Sequence, residues 1–185
     1  MRSRRRRLLR SLVALAVAAP VGLAGSIAYA GTVSCRVTWG SVAKQAGANA
    51  TAPLTAVAAG RHACYDRLVF TLDGPVGGYR VSYVPQVVTE GRGLPVSLRG
   101  GAFLQVTLLD PAYDTNGAPT YTPPVAAEAV DVSGFPTLRQ VGYLGTFEGY
   151  TSFGAGVRAR VPFRAFVLTG PGPHSRVVVD VAPHW

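Results

Sequence analysis

The chain has 185 residues, 48% of them hydrophobic and 15% charged, which favours a single domain and argues against a wholly disordered chain. Six of its eighteen basic side chains lie in the first ten residues, so residues 31–185 carry twelve basic and nine acidic groups despite the net charge of +9. The net positive charge of residues 31–185 is therefore small, and its basic side chains are scattered along the chain. This argues against a nucleic-acid partner, which would need basic residues clustered on one face.

The N-terminus has the pattern of an export signal. Residues 2–10 form a strongly cationic region, and a long uncharged apolar stretch follows. The stretch ends in Ala28 and Ala30 at the two positions where a signal peptidase requires small side chains, with Gly31 after the cut. The sequence therefore predicts a signal peptide over residues 1–30 and a protein that is secreted or associated with the cell envelope.

Two features of this signal leave alternatives open. The apolar stretch, about nineteen residues, is long enough to span a bilayer as an uncleaved membrane anchor, although Pro20, Gly22 and Gly25 weaken a helix there. Membrane contact is expected only through such an uncleaved segment. The consecutive arginines also resemble a twin-arginine signal, so export by either the Sec or the twin-arginine route fits the sequence.

Cys35 and Cys64 are the only cysteines, and both follow the predicted cleavage site. In an oxidising compartment such a pair predicts one disulfide bond, with two buried free thiols as the alternative. The three histidines, His62, His174 and His184, do not supply ligands at metal-binding spacing. We therefore expect neither a metal site nor a cofactor.

The first residues after the signal predict a tethered segment. Residues 39–46 have spacing that favours two helical turns, with Trp39, Val42 and Ala46 on one side. Small polar residues over 47–53 indicate a loop. We expect a disulfide-tethered segment with a short helix over residues 31–53 and a β domain over 54–185.

The remainder alternates apolar and polar side chains with period two, which is typical of half-buried strands. The pattern predicts strands over 65–72, 79–84, 94–98, 103–109, 138–147, 150–160, 162–169 and 176–181. We expect the first two to pair as a hairpin, and the last two to pair across the turn at 170–174. Residues 110–137 form the longest irregular connection. Together these features predict an all-β fold, an antiparallel β-sandwich or open barrel.

One family resemblance emerges from these residues. Gly60–Phe70 (GRHACYDRLVF) resembles the G-R-H-x-x-[FY]-D-R-[VL]-V-F signature of AMIN-like domains, found in exported bacterial envelope proteins. Further segments resemble that family in the same order: 78–84, 104–111, 121–123, 147–153, 162–166 and 177–181. The resemblance covers about residues 54–181. By a looser analogy with AMIN domains of cell-wall amidases and secretins, it implies a β-sandwich module that binds peptidoglycan.

Arg61, Asp66 and Arg67 lie in the signature and are candidate ligand-binding residues. An Arg–Asp fork that fixes the start of a strand is one interpretation, since bidentate pairs give geometric order. The other is that Arg61 or Arg67 receives a carboxylate from a stem peptide or a muramic lactyl group.

Tyr65 and Tyr150 are the candidate aromatic contacts. Aromatic rings pack on the apolar faces of sugars while tyrosine hydroxyls bond their rims. Ordinary packing within the sheets is the competing interpretation for both side chains.

No catalytic motif accompanies these residues. Asp110 and Glu148 are isolated carboxylates, and nothing places them across a scissile bond. We therefore expect a non-catalytic module whose partner is cell-wall glycan or peptidoglycan. The alternatives are a protein-interaction or inhibitory β-domain that binds another envelope protein through an exposed strand edge, and a hydrolase whose site is assembled across strands.

Overall fold

A computed structural model describes residues 35–185. The predicted signal peptide, including Ala28, Ala30 and Gly31, lies outside the described residues. The described chain contains one short 3-10 turn, Ala126–Glu128. Its strands are β1 (Lys44–Gly47), β2 (Leu54–Arg61), β3 (Asp66–Leu72), β4 (Gly78–Val84), β5 (Val87–Val88), β6 (Pro95–Val96), β7 (Ala102–Leu108), β8 (Leu138–Phe147), β9 (Tyr150–Val157), β10 (Phe163–Thr169) and β11 (Ser175–Val181).

The strands form two main antiparallel sheets. One has five strands in the order β1-β4-β7-β9-β8, and the other has four in the order β10-β11-β3-β2. A two-stranded ribbon of β5 and β6 lies in the connection between β4 and β7. The prediction of an all-β antiparallel sandwich is confirmed.

The hydrophobic core lies between the inner faces of the two sheets. In β3, buried side chains alternate with partly exposed ones, which places Phe70 in the interior. Its ring lies 4.9 Å from that of Phe153 on β9, so the two sheets meet at this aromatic contact. Each fully buried side chain of this size contributes about 1.5–3 kcal/mol through the hydrophobic effect.

The outer face of the five-stranded sheet is partly covered by the connection between β4 and β7. Val87 and Leu98 from this connection lie over Gly154 of β9. A Cβ atom at Gly154 would come within 2.7 Å of the Leu98 side chain, so any larger residue here would displace the segment that covers the sheet. Of the strand predicted over residues 94–98, only the two residues of β6 are formed, because Leu98 packs down on the sheet instead of continuing a ladder.

The predicted helix over residues 39–46 is wrong. Residues 41 and 42 form a bend, and β1 then pairs with β4 in a register that joins Lys44 to Val81. Val42, expected on the buried side of the helix, is 69% exposed. Ladder hydrogen bonds to β4 satisfy the backbone here, and they outweigh a weak local preference for helix.

The predicted hairpin between the first two strong strands is also wrong. β3 pairs with β11 and β2, whereas β4 pairs with β1 and β7. The connection crosses from one sheet to the other, which lets the apolar faces of both strands meet across the core instead of lying side by side. The hairpin between β10 and β11 is confirmed.

The disulfide between Cys35 and Cys64 is confirmed, with 5.1 Å between the two Cα atoms. Cys64 lies in the turn between β2 and β3, so the bond ties the start of the described chain to the four-stranded sheet.

Removing this bond tests its contribution to stability. We expect a Cys35→Ser/Cys64→Ser double variant to lose about 3–4 kcal/mol of unfolding free energy, because the unfolded chain regains the freedom of a loop of about 30 residues. Urea denaturation of the full chain measures the loss, with the exposed Thr38→Ala as a matched control. A loss below about 1 kcal/mol would contradict this account.

Candidate ligand-binding surfaces

The structure separates the five candidate residues onto two sides of the sandwich. Arg61, Tyr65, Asp66 and Arg67 lie at the turn between β2 and β3 on the four-stranded sheet. Tyr150 begins β9 in the five-stranded sheet. The candidates therefore cannot form one site.

Asp66 is completely buried and serves the fold. Its carboxylate accepts hydrogen bonds from the backbone N–H groups of Thr137 (2.7 Å) and Leu138 (2.9 Å) at the start of β8. Since β8 belongs to the other sheet, this carboxylate links the two layers. A ligand has no access to it.

Arg67 forms an ion pair with Asp180, so the expected fork with Asp66 is not formed. Its guanidinium donates two hydrogen bonds to the Asp180 carboxylate, at 2.7 and 3.0 Å. The same carboxylate, which is completely buried, also accepts from Arg164 at 2.8 Å. The hydrogen bond to Asp180 raises the pKa of Arg67 above its ordinary value, so Arg67 stays charged.

Aromatic rings enclose this ion-pair cluster. The Arg164 guanidinium lies 4.4 Å from the ring centroid of Trp39, and the Arg67 guanidinium lies 5.1 Å from that of Tyr65. His62 stacks on Tyr65 with 4.4 Å between ring centroids. The cluster thus holds the segment after Cys35 against the outer face of the four-stranded sheet, with the Tyr65 ring half-buried within it.

Arg61 is exposed at the end of β2. One nitrogen of its guanidinium donates to the carbonyl of Gly134 at 2.9 Å. Of the four candidates on this side, Arg61 keeps the most freedom to meet a ligand.

Tyr150 belongs to a more open surface on the opposite side. A two-residue turn, with Glu148 at φ 49° and Gly149 at φ 84°, joins β8 to β9. Both residues therefore have the left-handed conformation of a type I′ hairpin. The turn sets Phe147 directly opposite Tyr150, and opposite residues of a ladder share a face. Phe147 is 50% exposed.

Arg80 lies beside this aromatic pair. Its guanidinium is 5.8 Å from the ring centroid of Tyr150, and within residues 35–185 it makes no hydrogen bond or ion pair. The side-chain amide of Asn49 donates to the Tyr150 hydroxyl at 2.8 Å, which leaves that hydroxyl free to donate. We call Asn49, Arg80, Phe147 and Tyr150 the Tyr150 surface.

Polar side chains follow Arg80 across the outer face of the five-stranded sheet, because Arg80 pairs with Thr107 and Thr107 pairs with Ser152. The hydroxyls of Thr107 and Ser152 hydrogen-bond at 2.8 Å, and Ser152 also donates to the carboxylate of Glu90. Ser152 is completely buried, and no histidine of the described chain hydrogen-bonds to it. This row therefore supports the shape of the surface and lacks the features of a reactive serine.

A shallow depression adjoins the Tyr150 surface between β1 and β4. It has a volume of about 340 Å³ and is lined by Gln45, Ala46, Gly47, Tyr79, Arg80 and Leu109. The unpaired guanidinium of Arg80 thus borders both an aromatic pair and a polar recess.

Arg80, Phe147 and Asn49 were not among the candidates predicted from sequence. Phe147 had a local signal, since two turn residues between two aromatic residues predict a tight hairpin with both rings on one face. Asn49 and Arg80 had none, because only the pairing of distant strands brings them to Tyr150.

We searched residues 35–185 for metal-binding groups and for helices that could span a membrane. No group of three or more His, Cys, Asp or Glu side chains there is arranged to hold a metal ion. No helix in that part of the chain is long and apolar enough to cross a membrane.

The architecture is that of a two-layer antiparallel β-sandwich domain. The family model of the AMIN-like domain matches residues 52–183, more than two thirds of the chain, and the chain belongs to this family. Membership places it among envelope-associated binding modules. No curated protein matches the chain, and no solved structure matches it.

The structural role of the ion-pair cluster formed by Arg67, Arg164 and Asp180 can be tested by removing the shared carboxylate. We expect Asp180→Ala to lower the unfolding free energy by about 3 kcal/mol, the lower end for a broken buried ion pair, because Arg67 and Arg164 remain partly solvated. Trp39 fluorescence, followed in a Trp185→Phe background, should shift to longer wavelength as its contact with Arg164 loosens.

The exposed Asp73→Ala is the matched control and should change neither quantity. Equal stability of Asp180→Ala and the parent would show that this cluster does not hold the N-terminal segment.

Proposed function

We propose that this protein is an exported, non-catalytic module of the bacterial envelope that binds peptidoglycan through the Tyr150 surface. Family membership supports the envelope role. The observation that carries the ligand assignment is the unpaired guanidinium of Arg80 beside the partly exposed rings of Tyr150 and Phe147.

The chemistry of this surface fits the two parts of peptidoglycan. Its glycan strands present apolar sugar faces that pack on aromatic rings, and polar rims that bond to a tyrosine hydroxyl. Its lactyl groups and stem peptides carry carboxylates, which a planar guanidinium binds through two parallel hydrogen bonds. Since Arg80 lies 5.8 Å from the ring of Tyr150, one muramic acid unit spans both contacts.

The other side of the sandwich is less suited to this ligand. The hydrogen-bond donors of Arg67 are directed at Asp180, and His62 covers one face of Tyr65. We assign Tyr65, Asp66 and Arg67 to holding the fold. Arg61 remains a separate candidate for an anion, distant from the proposed glycan contacts.

Export is part of the same proposal. A signal over residues 1–30, cut after Ala30, delivers the chain by the Sec or the twin-arginine route to the compartment where peptidoglycan lies. The Cys35–Cys64 disulfide supports this assignment, because such bonds persist in oxidising environments outside the cytoplasm.

Sedimentation with purified cell wall tests the proposal. The full chain, produced by export, should co-sediment with insoluble peptidoglycan and be released by soluble digested wall. We expect Tyr150→Ala to weaken binding up to about tenfold, through loss of aromatic stacking. Arg80→Ala should weaken it by about 10- to 100-fold, through loss of charged hydrogen bonds.

Two control variants remove the same kinds of side chain, one aromatic and one arginine, from positions outside the Tyr150 surface. Trp185→Ala removes an aromatic side chain that is 70% exposed, and Arg158→Ala removes an exposed arginine; both should bind the wall as the parent does. Unchanged binding in the folded Tyr150→Ala and Arg80→Ala variants would reject the Tyr150 surface. Absence of binding by the parent chain would reject peptidoglycan as the ligand.

A further inference from the structure

A small recess adjoins the Tyr150 surface beside the turn between β8 and β9, and its volume is about 130 Å³. Among the residues that line it are Ala50, Pro111, Tyr113, Asp114 and Gly149. Ala50 follows Asn49 in the chain, and Gly149 precedes Tyr150. The recess is therefore one residue away from the Tyr150 surface at two separate points.

The lining offers one hydrogen-bond donor and one acceptor to a ligand. The hydroxyl of Tyr113 accepts the N–H of Gly149 at 2.9 Å, and within residues 35–185 it donates to no group. One oxygen of the Asp114 carboxylate accepts the N–H groups of Asn116 and Ala118, at 2.8 and 2.9 Å. The other oxygen has no hydrogen-bond partner in the described chain. A hydroxyl proton and a carboxylate oxygen thus remain for a ligand.

The loop that carries Tyr113 and Asp114 is held by its own hydrogen bonds, although it belongs to the long connection between β7 and β8. The N–H of Asp114 donates to the carbonyl of Ala118 at 2.9 Å, and Tyr113 forms a bridge with Pro119. Elsewhere in the lining, the N–H of Ala50 donates to the carbonyl that follows β7, at 2.9 Å. The recess is therefore formed before a ligand arrives, which lowers the entropic cost of binding.

We propose that this recess receives the N-acetyl group of an amino sugar that stacks on Tyr150. The inference rests on the proposed binding of peptidoglycan and names the chemical group that the site recognises. An acetamido group consists of a methyl, a carbonyl and an N–H. The methyl contacts the apolar side chains of Ala50 and Pro111. The carbonyl accepts the hydroxyl proton of Tyr113, and the N–H donates to the free oxygen of Asp114.

The size of the recess favours an acetamido group over other parts of peptidoglycan. A cavity of about 150 Å³ holds a benzene molecule, so a recess of about 130 Å³ has room for an acetamido group and too little for a sugar ring. The alanines of the stem peptides also place a methyl beside an amide. Their chain continues on both sides of that methyl, whereas an acetyl group is terminal and enters the recess whole.

Wall samples that differ in the acyl group of their sugars test this inference. Peptidoglycan is N-deacetylated with an enzyme, and one half is then treated with acetic anhydride and the other with benzoic anhydride. Both products are uncharged at the sugar nitrogen, which matters because a free ammonium group would itself be attracted to Asp114. Intact peptidoglycan treated with each anhydride shows the effect of acylating the peptide amines alone.

Co-sedimentation of the full chain, produced by export, measures binding to each sample. We expect the acetylated wall to bind as tightly as intact wall. The benzoylated wall should bind at least about tenfold more weakly, because its acyl group is larger than benzene and loses the two hydrogen bonds and the methyl contact.

Two variants of nearly unchanged shape locate the effect. Tyr113→Phe removes only the hydroxyl. Asp114→Asn replaces the free carboxylate oxygen with an NH₂ group and keeps an oxygen for the N–H groups of the loop. Each should reduce the preference for acetylated over benzoylated wall by about three- to tenfold.

Matched controls make the same changes elsewhere. Asp131→Asn alters a carboxylate that likewise accepts a loop N–H, from Ser133 at 2.8 Å. Tyr65→Phe removes a hydroxyl on the four-stranded sheet. Both variants should keep the preference of the parent chain. Arg80→Ala should weaken binding to both samples by a similar factor, because the carboxylates that it binds are the same in both.

The outcomes separate this inference from the proposed function. A parent chain that binds acetylated and benzoylated wall equally, and still requires Tyr150 and Arg80, overturns the acetyl assignment and leaves peptidoglycan binding in place. Occupation of the recess by an alanine methyl would give that result. A preference that persists unchanged in both Tyr113→Phe and Asp114→Asn also overturns the assignment. Absence of binding to every sample rejects the proposed function, and this inference with it.

Discussion

The contact between Phe70 and Phe153 across the sandwich is the constraint on which the remaining surfaces depend. Both strands that carry these rings must present the same alternate side chains to the core, so the other set faces outward. Because Phe153 points inward, Ser152 and Tyr150 point outward on β9. Facing outward beside Arg80 then gives Tyr150 its place on the proposed binding surface.

Three buried carboxylates show how the fold accommodates charge in different ways. Asp66 accepts backbone N–H groups from the opposite sheet, and Asp180 is surrounded by two guanidinium groups. Asp110 accepts the N–H of Gly77, and burial raises its pKa while that hydrogen bond opposes the change. Each carboxylate is therefore a structural element, whereas Arg80 has no carboxylate partner within residues 35–185 and lies beside the ring of Tyr150.

The period-two pattern by itself determined the all-β class and most of the long strands, because one buried face per strand is a local property of sequence. The cysteine pair likewise predicted its own disulfide. β2 escaped detection because LTAVAAGR has small side chains on both faces, and the helix predicted over residues 39–46 was wrong because a distant strand supplied better backbone partners. Only the tertiary structure decided that Arg67 pairs with Asp180, 113 residues away, and that Arg80 and Asn49 meet Tyr150. These contacts depend on strand order and register, which arise from the packing of both sheets together and leave no signal in a short stretch of sequence.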